Sequence, residues 1–151
     1  VTRPRDIGTR AETAVVRALR RHGFPHAERR ALRGSTDAGD ITGTPGICWE
    51  VKGGQAARTA SDGQILAWLV ELEAERLNAH ADIGVLVVQR AGIGAPNAHR
   101  RWAILFLRDV ARLTGATLPD RLELYPVRML LADAAELLCN AGYGSAPTTA
   151  A

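Results

Sequence analysis

Residues Ile83–Gln89 form an uncharged, largely apolar run of strand length. A strand of this kind is buried on both faces and needs a covering layer on each. The flanking pattern supplies those layers. Ala11 to His22 reads as a helix with Val15, Ala18 and Leu19 on one face, and Gly23 stops it. Phe24 to Leu32 reads as extended. Ser61-x-x-Gln64 has the form of a capping box and starts a helix running to Asn78, with Ile65, Trp68, Leu69 and Leu72 on one side. Beyond a Gly/Pro/Asn loop over 91–100, Trp102–Leu107 reads as a strand and Asp109–Leu113 as a short helix. A strand broken by Pro126 follows, then a helix capped at Asp133 and ended by Gly142. The order α-β-β-β-α-β-β-α, with a further strand–helix pair, predicts an α/β fold in which helices flank a mixed sheet.

A chain of 151 residues has the length of one domain with a sizeable core. We expect that domain over 1–144, a loose basic arm over Val1–Arg5 and a flexible tail over 145–151. No run approaches the ~18 apolar residues of a membrane span, and the Arg-rich start lacks the apolar core of a signal peptide. Cys48 and Cys139 match no metal spacing. They are expected as buried thiols in a reducing compartment, which points to a cytoplasmic location.

Between the first helix and the capping box lies Gly39–Gly54, two short apolar segments joined by a Gly/Pro turn and expected as a hairpin. Asp40 opens the first segment, and the second ends in Glu50-Val51-Lys52. Strand side chains alternate between faces, so Glu50 and Lys52 share one face and Trp49 and Val51 the other. Of nineteen basic residues, eighteen are arginine and Lys52 is the single lysine. Arginine is effectively always charged, whereas a lysine ammonium is compact and its pKa responds to its surroundings.

Net charge is only +3, but nine arginines fall within residues 1–34, among them Arg10, Arg29, Arg30 and Arg33. Such a field attracts phosphate backbones; it also reads as an ordinary solvated surface. Glu12 falls on the apolar side of the first helix. It reads either as a first-turn residue favoured by the helix dipole or as a side chain reaching towards Asp40 and Glu50.

Asp40 and Glu50 are hard oxygen donors. Two carboxylates with waters and a substrate phosphate suit Mg²⁺, or Mn²⁺ in its place. The four histidines show no ligand spacing, which argues against zinc. A divalent ion polarises a phosphoryl oxygen and lowers the pKa of bound water. Lys52 would orient or deprotonate the attacking water, or stabilise charge developing on phosphate. Gln64 reads either as part of this site or as a helix cap, and Gln55 and Arg58 as phosphate contacts. Without the chemistry, Glu50 and Lys52 would be a wet pair on an edge strand.

Glu12 in a first helix, Asp40 at a strand start and Glu50-Val51-Lys52 on the next strand resemble the PD-(D/E)XK nuclease superfamily. The order and spacing are most similar to archaeal-type Holliday junction resolvases and their phage relatives, over roughly residues 8–90. Gly39 stands where the motif has proline, and Thr13 follows Glu12 where the family often has arginine. The resemblance implies a restriction-endonuclease-like mixed sheet, Mg²⁺-dependent phosphodiester hydrolysis and a homodimer acting on branched DNA, with no membrane partner. It makes Asp40 and Glu50 metal ligands, Glu12 a further acidic residue, and Lys52 the catalytic lysine. Either Arg29 or Arg30 would contact phosphate, and Ser35 would lie in a DNA-contacting loop. The same residues would serve an exonuclease or a repair nickase. A non-catalytic DNA-binding module is the reading from another class, with 109–115 as a short helix-turn-helix. The chain lacks a Gly-x-Ser-x-Gly elbow or a phosphate-binding glycine loop.

Overall fold

The computed structural model describes residues 2–31 and 36–145. Helix α1 spans Pro4–Arg21, and strands β1 (Glu28–Arg29) and β2 (Ile41–Thr42) follow. Then come β3 (Ile47–Lys52), α2 (Gly54–Arg58), α3 (Asp62–Asn78) and β4 (Ile83–Val88). A 3-10 segment over Ala95–Arg100 leads to β5 (Trp102–Phe106), α4 (Leu107–Thr114), β6 (Pro126–Leu130) and α5 (Leu131–Asn140).

The main sheet has the order β3-β4-β5-β6 and is mixed: β3 runs parallel to β4, and the other two pairs are antiparallel. The apolar run predicted as a central strand is β4, and all six of its residues are buried. Alternation divides the core. Trp49, Val51, Val85, Val87 and Leu105 face α1 and α5. Cys48, Leu86, Val88 and Ile104 face Leu69 and Leu72 of α3. Gly84 lets α3 approach, since a Cβ there would stand 3.1 Å from Leu72. Arg76 and Arg108 both hold Glu73, tying α4 to α3.

Several expectations are corrected. Of the expected loose arm, Pro4 and Arg5 are already helical, Pro4 taking the first position of α1, where its missing N–H costs nothing, while Val1 lies outside the described residues. The expected hairpin divides between two sheets. β2 pairs with β1, and Asp40 supplies the backbone link to β3 by donating its N–H to the Trp49 carbonyl at 2.8 Å. Of the described part of the expected extended stretch, 24–31, only Glu28–Arg29 is strand, and Leu32 lies outside the described residues. α2 arises unpredicted beyond Gly53. Pro126 begins an edge strand rather than interrupting one. Leu130 is the N-cap of α5, and Asp133 sits in its first turn without capping it. Ser145 is tied down, its N–H donating to Gly23 O at 2.8 Å; the rest of the expected tail, 146–151, lies outside the described residues. The segment weighed as a helix-turn-helix is α4, packed on β5 and α5. Both cysteines are free and buried.

Candidate active site

The edge of β3 is where the chemistry-bearing residues meet. Trp49 and Val51 are buried against α1 and α5, which turns Glu50 and Lys52 to the α3 side as alternation predicts. Glu50 is buried at 8% exposure, so it is not a wet surface residue. Lys52 donates to Glu50 Oε1 at 2.5 Å, and its ammonium lies 5.6 Å from the Trp68 ring centre.

Asp40 reaches the same edge from the loop before β2. Its Oδ2 accepts the Val51 N–H at 2.7 Å. Burial above all, then the charge of Glu50, push the Asp40 carboxyl up to about 8 against the opposing pull of the Val51 N–H; Glu12 adds to the rise. Asp37, three residues before Asp40, is exposed, and its carboxylate accepts the Gly39 N–H.

Glu12 approaches from α1. Arg29 Nε donates to its Oε2 at 2.8 Å, and Arg29 Nη2 to Thr9 Oγ1 at 3.3 Å. This ion pair places Arg29 beside the acidic cluster. Arg30 is exposed, its backbone N–H donates to Asp40 O at 2.8 Å, and its charge acts on Cys48.

Glu75, on α3, was not anticipated. It is 7% exposed, and its Oε2 has no hydrogen-bond partner. Burial first, then the charge and hydrogen bond of Glu50, raise its carboxyl to about 9. The signal was present in the sequence: Glu75 follows Leu72 by three residues, so it continues the apolar stripe of the helix. Its cost is visible nearby. Burial, then Glu75 and Glu50, push the Cys48 thiol up to about 12.

Of the roles open to Lys52, deprotonating water is the one these neighbours disfavour. Burial would lower its pKa, but the hydrogen bond and charge of Glu50 outweigh it and the net shift is upward. With these neighbours alone the side chain is held as an ammonium.

Other expected residues do not converge here. Gln64 is exposed at the start of α3. Its backbone N–H donates to Ser61 Oγ at 3.2 Å, which is the Ser61 half of the expected capping box. Gln55 and Arg58 are exposed and bonded to each other on α2. Arg10 is exposed on another side of α1 from Glu12. Arg33 and Ser35 lie outside the described residues.

Across the sheet, Lys52 stands in register with Val88, and Val88 with Trp102. Arg90 and Arg128 stack on the Trp102 ring at 3.9 and 4.7 Å, adding two cations on that row.

Among the described residues no group of three or more His, Cys, Asp or Glu side chains forms a ready-made metal cage, and no helix is long and apolar enough to cross a membrane. No family model, curated protein or solved structure matches this chain.

Proposed function

We propose that this chain is a divalent-metal-dependent endodeoxyribonuclease of the PD-(D/E)XK type, with a restriction-endonuclease-like core, acting on branched DNA such as four-way junctions. One observation carries the reading: two carboxylates, Asp40 and Glu50, meet at the buried edge of β3 with the only lysine of the chain paired to one of them.

The donor set fits a hard divalent cation. The charge of Glu50 raises the cost of ionising Asp40, which a cation would relieve, and Mg²⁺ ordinarily takes only one or two protein carboxylates. Glu75, whose Oε2 has no partner, is a third buried carboxyl beside Glu50 on the α3 side. Asp40 and Glu50 would hold Mg²⁺ or Mn²⁺, with Glu12 nearby. When bound, the ion supplies Lewis-acid polarisation of a phosphoryl oxygen.

The side chains of the protein account for the rest. Lys52, kept charged by Glu50, offers a fixed positive charge to an anionic phosphate. Arg29 is half-free, at 40% exposure of its side chain, and held in place by Glu12. It is the better placed of the two arginines to meet a phosphate near the carboxylates. The reading also calls for two copies acting on paired strands, which sedimentation in solution tests.

The deciding experiment is a substrate panel in Mg²⁺: a synthetic four-way junction, linear duplex, nicked duplex and single strand. The junction should be cut in preference to linear duplex, at internal positions. Equal cutting, or progressive digestion from ends, would replace this reading with the exonuclease or nickase one. No cutting of any substrate in Mg²⁺ or Mn²⁺ would sink it.

A further inference from the structure

α1 has a second polar face. Arg3, Arg10 and Arg17 recur every seven residues, and Arg21 follows one turn on. At 3.6 residues per turn these four lie within a narrow stripe, and at 1.5 Å per residue the stripe is roughly 27 Å long. All four are exposed, and among the described residues none has an ion-pair partner. Glu12 lies nearly opposite them around the helix.

The stripe borders a groove. A cavity of about 420 Å³ lies between α1 and the 95–100 segment, with Arg10, Arg17 and Arg21 on its wall. Its far end is closed by His22 and His99, whose rings stack with centres 5.6 Å apart. Ala14, Ala18 and Pro96 give it an apolar floor, and no carboxylate lines it. The cations of this wall attract an anion into the groove; Asp6 is the one carboxylate of α1 on the same face, and it lies outside the groove.

The length of the stripe distinguishes the anion. A single phosphate or a nucleotide would meet one or two arginines, whereas four in line over this distance match a polymer of phosphates. An anionic membrane is the weaker match, because none of the exposed large apolar side chains (Leu66, Val70, Leu77, Leu124, Tyr125) belongs to α1.

We propose that this groove binds the sugar–phosphate backbone of a nucleic acid, at a site separate from the carboxylates of β3. That the polymer is DNA rests on the nuclease reading above. Because Glu12 and the arginine stripe occupy opposite sides of α1, the strand in the groove is not the strand at Asp40 and Glu50. The helix stands between two segments of one substrate.

The test is fluorescence anisotropy in EDTA with a labelled four-way junction, comparing wild type with Arg10→Gln/Arg17→Gln/Arg21→Gln and with the same three sites changed to lysine. Loss of three phosphate contacts should weaken binding about 10-fold or more and reduce the slope of log K against log salt by up to about 2.7. The lysine triple should keep most of the slope. If the glutamine triple does not fold, Arg17→Gln alone should lower the slope by about 0.9. Unchanged affinity and slope in the glutamine variants would overturn the proposal. So would displacement of the junction by micromolar inorganic phosphate or ATP, or binding to anionic vesicles in place of nucleic acid. The two readings separate cleanly. Binding through these arginines without any cleavage leaves the groove standing and removes the nuclease. Junction cleavage by a protein whose glutamine triple binds normally does the reverse.

Discussion

Asp40 accepts the Val51 N–H through Oδ2 at 2.7 Å and donates its own N–H to the Trp49 carbonyl at 2.8 Å. These two bonds span Glu50, and they fix one carboxylate against the other at the edge of β3. The energetic result is a site short of positive charge, from which the following expectations derive.

The metal-free chain should lose stability as pH rises. Asp40 and Glu75 have folded-state values near 8 and 9, against ordinary values of 3.8 and 4.5. Between roughly pH 4 and 9 the folded chain therefore holds protons that the unfolded chain has released, and ΔG of unfolding falls as pH rises through that window. Thermal melts in EDTA should show a declining Tm from pH 5 to 9, with a shallower decline in Asp40→Asn. A flat or rising wild-type profile would contradict the buried carboxylate cluster.

Divalent cations should reverse that loss. At pH 8, Mn²⁺ or Mg²⁺ should raise Tm, by the equivalent of about 2.7 kcal/mol at a hundred times Kd. Glu50→Gln and Asp40→Asn should abolish the rise, and Gln64→Ala should retain it. An identical rise in Glu50→Gln would place the ion elsewhere.

Lys52→Ala should cut junction cleavage about 10²–10³-fold, the scale of removing one electrostatic stabiliser of a transition state, while junction binding stays within a few-fold. Lys52→Arg should not restore the rate, because a planar guanidinium presents its charge and donors differently from an ammonium. Wild-type cleavage by Lys52→Ala would remove the central claim of the functional reading.

Ser61 and Gln64 should separate by role. Ser61→Ala loses the N-cap acceptor of α3 and should cost about 1 kcal/mol in urea unfolding. Gln64→Ala keeps the backbone donor and should cost less than about 0.5 kcal/mol, as an exposed substitution does. Its cleavage rate should be unchanged. A large rate loss in Gln64→Ala alone would return that side chain to the site.

Alternation and periodicity made much of this legible from the sequence. The burial of β4, the opposed faces of Trp49 and Glu50, and the start of α3 at Ser61 all follow from local pattern. The division of Gly39–Gly54 between two sheets did not, because a Gly/Pro turn marks a reversal without saying which strand each arm will pair with. Glu75 was missed for a related reason. α3 is poorly segregated: Leu66, Val70 and Leu77 are exposed while Glu75 is buried. A glutamate on an apolar stripe is interpretable only once Glu50 is known to face it from β3. The orientation of the α1 arginines away from Glu12 was readable from helical spacing, but the groove they border needed the 95–100 segment to close it.

The way Asp40 meets β3 has a consequence for solubility. An edge strand with free backbone donors and acceptors is a template for a strand from another chain. At the middle of β3 those positions are already taken, the Trp49 carbonyl by a backbone donor and the Val51 N–H by a carboxylate. Asp40 thus acts as a one-residue guard against intermolecular strand addition. The polar group that a nuclease would need at this edge also keeps the middle of β3 from recruiting its own kind.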